Sequence, residues 1–146
     1  MEMIPKDIYE MSVLEVENMS NTYFVYYEIL NKWMNNIMEG KEISEYLKSN
    51  NMNNIVIYGI GKIGEILYKN LNNNIKILYT LDSNIDDSKV NQFKMVSLKN
   101  IDKSIKVDAV IVTPVYAFQS IKEYLINTYN DSSISIISID DIILSM

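Results

Sequence analysis

One stretch near the middle of the chain constrains the fold more than any other. Residues 55–58 are Ile-Val-Ile-Tyr, which predicts a short buried strand, and Gly59, Gly61 and Gly64 follow with the spacing Gly-x-Gly-x-x-Gly. The chain has only 4 glycines, so most of them lie in this one turn. A strand that passes through such a turn into a helix predicts the first β–α unit of a parallel α/β sheet.

Each glycine of the turn has a predicted physical role. Gly59 permits the tight bend from strand to helix, and Gly64 allows the helix to pack close to the strand. Because Gly61 has no side chain, a diphosphate could approach the backbone there, and Lys62 could meet it as a point charge. Free N–H groups and the helix dipole favour an anion at the start of the helix. The candidate binding residues of the turn are Gly59, Ile60, Gly61, Lys62, Ile63 and Gly64.

An acidic residue follows the next predicted strand. That strand covers residues 75–81, and Asp82 lies near the expected distance of roughly 20 residues beyond the turn. A carboxylate at this position typically accepts hydrogen bonds from a ribose hydroxyl group. The chain contains no Arg to clamp a ribose 2′-phosphate, so Asp82 favours NAD over NADP. The alternative is a glycine turn that serves only to pack the helix on the strand.

The composition excludes several classes of function. The net charge is -6 and no basic cluster occurs, which argues against binding to nucleic acid or to an anionic membrane surface. The chain has neither Cys nor His, so a thiol nucleophile, a zinc-thiolate site and the commonest general base are missing. No apolar run reaches the roughly 18 residues of a transmembrane helix, and the polar start is not a signal peptide. We therefore expect a cytoplasmic protein.

Beyond the turn, strands alternate with helices. Strands are predicted at 93–96, 107–113 and 134–139, a single helical turn at 98–101, and another at 140–144. Two helices connect strands, one over 62–71 and one that begins at Pro114. The first is expected to bury Ile63, Ile66, Leu67 and Leu71, and the second Phe118, Ile121, Leu125 and Ile126.

This series predicts a Rossmann-like parallel sheet with the strand order 3-2-1-4-5. The ligand crevice of such a sheet lies at the carboxyl ends of the first and fourth strands, where the order reverses. The glycine turn, Asp82 and the segment with Thr113, Pro114 and Tyr116 all map to that edge. Their convergence favours a binding site over a packing turn, and Tyr116 could border a sugar or nicotinamide.

The residues before the turn predict a helical extension over 1–52, followed by the α/β domain over 53–146. A helix over 1–20 is indicated by three apolar residues near helical spacing, and a short helix is predicted over 41–48. The three apolar residues are Ile8, Met11 and Leu14.

A longer helix is predicted over 21–39, capped by Ser20 or Asn21 and followed by Gly40. Its apolar residues cover more than one narrow stripe, so the helix could touch the α/β domain on one side and a partner on the other. The partner would be a second copy of the chain or another enzyme. A helix wedged inside one domain is the alternative. The apolar residues are Tyr23, Tyr26, Tyr27, Leu30, Trp33, Met34 and Ile37.

Three segments, 55–65, 78–84 and 107–114, resemble small NAD(P)-binding Rossmann-fold domains, and the resemblance covers roughly 53–145. The domains that look most similar accompany bacterial enzymes of sugar-nucleotide and cell-surface polysaccharide synthesis. The resemblance implies a nucleotide-binding module for NAD(H) or a nucleotide sugar, with an accessory or regulatory role. It also implies that Thr113 and Pro114 wall the nicotinamide side.

The sequence departs from catalytic members of such families. Sugar oxidoreductases often carry a His just after Thr-Pro, where this chain has Phe118 and Gln119. We also expect no substrate domain after the last predicted strand. An NAD-dependent oxidoreductase or epimerase completed by a partner is one alternative, and an interaction scaffold that binds no nucleotide is another. A methyltransferase is a further alternative, because methyltransferases also use a glycine turn after a first strand. They usually place an acid before that turn, whereas this chain has Ile57 and Tyr58, which disfavours this interpretation.

Overall fold

The computed structural model describes residues 13–146, with side chains described from residue 21 onward. The protein has an α/β fold built on a five-stranded sheet in which every pairing is parallel. The strand order is β3-β2-β1-β4-β5, which confirms the prediction. The strands are β1 (Asn54–Tyr58), β2 (Lys76–Leu81), β3 (Met95–Val96), β4 (Ala109–Val112) and β5 (Ser135–Ser138).

Six α-helices accompany the sheet in the described part of the chain. Short 3₁₀ turns at Leu98–Asn100 and Val115–Ala117 complete the connections. None of the described helices is both long enough and apolar enough to cross a membrane. The helices are α1 (Val13–Met38), α2 (Ile43–Ser49), α3 (Lys62–Leu71), α4 (Val90–Phe93), α5 (Phe118–Tyr129) and α6 (Ile139–Ser145).

The central strands β1 and β4 are buried on both faces, as their continuous apolar runs predict. Successive side chains of a strand point to opposite faces, so Ile55 and Ile57 enter one hydrophobic cluster while Val56 and Tyr58 enter the other. The first cluster lies under α1, α2, α3 and α6, and the second under α5. The N-terminal helices thus share a core with the sheet.

The helix α1 differs from the prediction. It begins by Val13 and continues without a break to Met38, so the predicted start and cap at Ser20 or Asn21 are wrong. Polar residues with cap preferences also occur inside helices when neighbouring turns propagate the helix. The predicted end before Gly40 is confirmed, and Gly40 has φ +78. The first twelve residues of the predicted helix over 1–20 lie outside the described part of the chain.

Two predicted core residues, Ile66 and Ile126, are exposed instead. The helix α3 approaches β1 most closely at Gly64, so its buried face is centred on Gly64. Ile66 lies outside that face and its side chain is exposed. The buried face of α5 runs on to Tyr129, whose hydroxyl lies 2.6 Å from that of Tyr79, so Ile126 falls to the side. In the predicted strand 93–96, only the last two residues are extended, since Phe93 ends α4.

Candidate functional site

The first glycine of the turn occupies a conformation that side chains rarely adopt. Gly59 has φ +96, and its N–H donates to the carbonyl of Leu81 at 2.7 Å. A β-carbon on Gly59 would lie 2.6 Å from both Pro114 Cδ and Thr113 Oγ1. Both backbone strain and lack of space therefore require glycine at this position.

The third glycine sets the distance between α3 and the turn. A β-carbon on Gly64 would lie only 1.8 Å from the carbonyl oxygen of Gly59. The helix thus rests directly on the backbone of the turn. This contact is the close helix–strand packing that the motif spacing predicts.

The second glycine has a different environment. Gly61 is the N-cap residue of α3, with φ -88, and a β-carbon there would meet no atom within 4 Å. No side chain caps the helix, so the N–H groups of its first turn have no side-chain acceptor. Lys62, the first residue of α3, is exposed, whereas the side chain of Ile63 is buried in the core. The helix start can accept an anion.

Asp82 lies against the glycine turn at the end of β2. Its Oδ2 accepts a hydrogen bond from the N–H of Ile60 at 2.8 Å, and its Oδ1 accepts one from the N–H of Asn84 at 3.1 Å. A carboxylate offers about four lone-pair sites. The two hydrogen bonds use two of these sites, and Asp82 is partly exposed.

Thr113 and Pro114 brace the turn from the end of β4. The Thr113 side chain is buried, and its Oγ1 donates to the carbonyl of Gly59 at 2.7 Å. The Thr113 N–H donates to the carbonyl of Tyr58 at 3.0 Å. The structure therefore gives Thr113 a role in holding the glycine turn, and the half-buried Pro114 packs against the same glycine.

Tyr116 contacts the N-terminal helix α1. Its exposed ring meets the ring of Tyr26 on α1 edge to face, with centroids 6.4 Å apart. Both rings border a cleft of about 340 Å³ that also includes Val25 and Asp140. A larger cavity of about 530 Å³, between the end of α5 and β5, includes none of the predicted site residues. Neither of these two cavities is lined by the glycine turn, so the candidate site there is defined by the open backbone at Gly61 and the uncapped start of α3.

Sequence reasoning missed Lys89, which follows β2 in the chain. Its Nζ donates to the carbonyl of Ile60 at 3.1 Å and pairs with the Glu65 carboxylate at 3.5 Å. No sequence motif sets the distance between the glycine turn and a lysine in the loop after β2. The only signal in the sequence was that a lysine occurs in this loop. Lys89 places a positive charge beside the glycine turn.

Tyr58 is a second residue whose surroundings the sequence did not reveal. Burial, foremost, and the negative charge of Asp82 raise the pKa of the Tyr58 hydroxyl, while a hydrogen bond with Ser83 lowers it. The phenol is neutral near pH 7, as an ordinary tyrosine is, and the raised pKa extends this neutral form to higher pH. Among the side chains that the structure describes, those of residues 21–146, no group of three or more acidic, His or Cys residues is arranged to hold a metal ion.

These features define a class of protein: a parallel α/β domain with a glycine turn at the point where the strand order reverses. The chain belongs to the family described as C2185-like, N-terminal, whose model matches residues 51–139. The match spans all five strands and leaves α1 and α2 outside. A search of curated proteins and a search of solved structures each found no match.

Proposed function

We propose that this protein is a cytoplasmic NAD(H)-binding module with an accessory or regulatory role in sugar-nucleotide or surface-polysaccharide metabolism. The observation that carries the proposal is the open space at Gly61, next to a helix start that no side chain caps. The resemblance of three segments to small Rossmann-fold domains supplies the metabolic context.

The three glycines differ in what the fold itself requires of them, and this difference supports the proposal. Gly59 and Gly64 are required by contacts inside the protein, because a β-carbon on either would overlap neighbouring atoms. Gly61 has no such contact, and its φ of -88 is open to any residue. Packing alone places no steric demand for glycine at Gly61, where the N-cap preference for glycine over alanine is worth no more than about 1 kcal/mol, whereas a diphosphate approaching the backbone needs the space that a side chain would fill.

The charges around the turn favour NAD(H) over NADP(H). In the proposed complex the Asp82 carboxylate accepts a hydrogen bond from a ribose hydroxyl group, and it would repel a 2′-phosphate. Of the two lysines beside the turn, Lys89 is already hydrogen-bonded to the Ile60 carbonyl and paired with Glu65. A bound diphosphate would lie over the start of α3, with Lys62 at its side.

A module without its own catalytic residues fits the composition, since the chain has no His and no Cys. The exposed Tyr116 at the carboxyl edge of the sheet favours a second candidate, a subunit of an NAD-dependent sugar oxidoreductase or epimerase that a partner completes. In that case Tyr116 would border the substrate or the nicotinamide.

The test is a titration of the purified protein with NAD⁺, NADH, NADP⁺, CoA and UDP-sugars, followed by thermal unfolding. A ligand at about 100 times its Kd stabilises the folded state by roughly 2.7 kcal/mol, which corresponds to a shift of several degrees. A shift with NAD(H) alone is expected. A shift with UDP-sugars alone would replace NAD(H) by a nucleotide sugar, and no shift with any ligand would favour the interaction scaffold.

The variant Gly61→Val tests the site itself. Its β-carbon has free space, so the unligated protein should fold, but NADH affinity should fall at least tenfold because the side chain fills the diphosphate position. The matched control is Asn72→Val, at the exposed far end of the same helix, which should bind as the wild type does. Unchanged affinity in Gly61→Val would refute the site.

A further inference from the structure

In the part of α1 whose side chains are described, from residue 21 onward, the helix carries one apolar face that is buried and a second that is exposed. Ile29, Trp33 and Asn36 face the body of the protein and are buried, and the Asn36 side-chain amide donates to the carbonyl of Ile143 at 2.9 Å. This face anchors α1 firmly on α6. A second face, here called the outer face of α1, is exposed and consists of Tyr23, Phe24, Tyr27, Leu30, Met34 and Met38.

The outer face has the spacing and composition of a helix–helix interface. Tyr23, Tyr27, Leu30 and Met34 follow one another at intervals of four, three and four residues, which is the seam of a coiled coil. Between positions 23 and 38 the only charged residues are Glu28 and Lys32, outside the seam. Depletion of charge and enrichment of aromatic residues and Met are typical of interface cores.

The exposed area is of the size that a stable dimer needs. Five of the six residues, all except Leu30, are between 57% and 70% exposed. With aromatic side chains contributing roughly 100–150 Å² each, the outer face presents on the order of 600–800 Å². A standard interface buries about 800 Å² on each partner, whereas the largest apolar patch of a typical monomer is about 300–600 Å².

We propose that the outer face of α1 is a homodimer interface in which two copies of α1 pack antiparallel. The aromatic residues lie in the first half of the face and the two methionines in the second half. Antiparallel packing centred near Leu30 places Tyr23 opposite Met38 of the second copy and Tyr27 opposite Met34 of the second copy. Contacts between sulfur and aromatic rings are favourable, and a parallel arrangement would not form them.

The oligomeric state in solution tests the interface. Light scattering after size exclusion should give twice the 17.0 kDa mass of one chain over a wide range of protein concentration. Tyr27→Glu combined with Met34→Glu should give a folded monomer, since both side chains are exposed and their loss leaves the core intact. The matched control is Ile126→Glu, which alters an apolar residue of α5 with 50% exposure and should remain a dimer.

A monomeric wild type, or a dimer that persists in the double variant, would overturn the proposal. A monomer that binds vesicles containing anionic lipids would assign the outer face to a membrane surface instead. Both results are independent of whether NADH binds at the glycine turn.

Cysteine cross-linking tests the direction of packing, because the chain has no cysteine of its own. Leu30→Cys should form a disulfide-linked dimer. Tyr23→Cys alone should not form one. Each position 23 lies opposite position 38 of the second copy, so the two cysteines are fifteen helical residues apart, about 22 Å at 1.5 Å per residue. A mixture of Tyr23→Cys and Met38→Cys should cross-link. Efficient linking of Tyr23→Cys to itself would indicate parallel helices and refute the antiparallel arrangement.

Discussion

Gly64→Ala adds one carbon atom where α3 rests on the glycine turn. If the helix had free space there, alanine would stabilise it by up to about 1 kcal/mol relative to glycine. The added β-carbon would instead lie 1.8 Å from the Gly59 carbonyl oxygen and 2.8 Å from its carbon, and real contacts of a β-carbon are essentially never under 3.0 Å. The helix would therefore have to retreat by about 1.2 Å from β1.

The cost of Gly64→Ala depends on whether the obstructing atoms can move aside. The obstructing atoms are backbone, which is held by the Thr113 hydroxyl and by the strand pairing of β1, so the turn cannot move aside cheaply. Overpacking typically costs about 1–3 kcal/mol, and an obstruction by backbone should lie at the upper end. After the gain in helix propensity, we expect a net loss of about 2 kcal/mol or more in the free energy of unfolding.

Urea denaturation followed by far-ultraviolet circular dichroism measures this loss, and thermal unfolding should show a decrease of roughly 4–8 °C. The matched control is Gly61→Ala, the same chemical change three residues earlier, where no atom lies within 4 Å. It should cost no more than about 1 kcal/mol, the effect of alanine at an N-cap. If Gly64→Ala were as stable as Gly61→Ala, the packing geometry described for α3 would be wrong.

Three further predictions concern buried hydroxyl groups. Thr113→Val removes the donor to the Gly59 carbonyl and should lower the free energy of unfolding by about 1–3 kcal/mol in urea denaturation; no loss would contradict the bracing role. Tyr129→Phe leaves the buried Tyr79 hydroxyl without this partner and should cost about 1–3 kcal/mol, partly recovered when Tyr79→Phe is added, as a double-mutant cycle would measure. Burial raises the pKa of both tyrosines above the ordinary value of 10.0, so the folded state keeps their protons to higher pH than the unfolded state does. The free energy of unfolding should therefore keep this contribution in full below pH 10 and fall as the pH rises further, by up to about 1.4 kcal/mol per pH unit for each tyrosine. A double Phe variant whose free energy of unfolding declines as steeply would refute this.

Much of the fold could be predicted because its signals are local. The apolar runs of β1 and β4, the glycine spacing and the polar loops between them specify strands, a turn and crossovers. Parallel strands joined by right-handed crossovers permit few topologies, so the order of the sheet follows from the order of the elements. The positions of Gly59, Gly61 and Gly64 at the turn, and of Asp82 at the end of β2, follow for the same reason.

The sequence by itself determined which segments meet at the carboxyl edge of the sheet, and the tertiary structure decided what each side chain does there. Spacing along the chain does not specify that Thr113 bonds to the turn, or that Asp82 and Lys89 both reach Ile60. These contacts join residues more than twenty positions apart, and they depend on how close α3 packs to β1. The exposed outer face of α1 likewise depends on tertiary packing, because an apolar pattern specifies which faces of a helix can be buried but not how many neighbours the fold supplies.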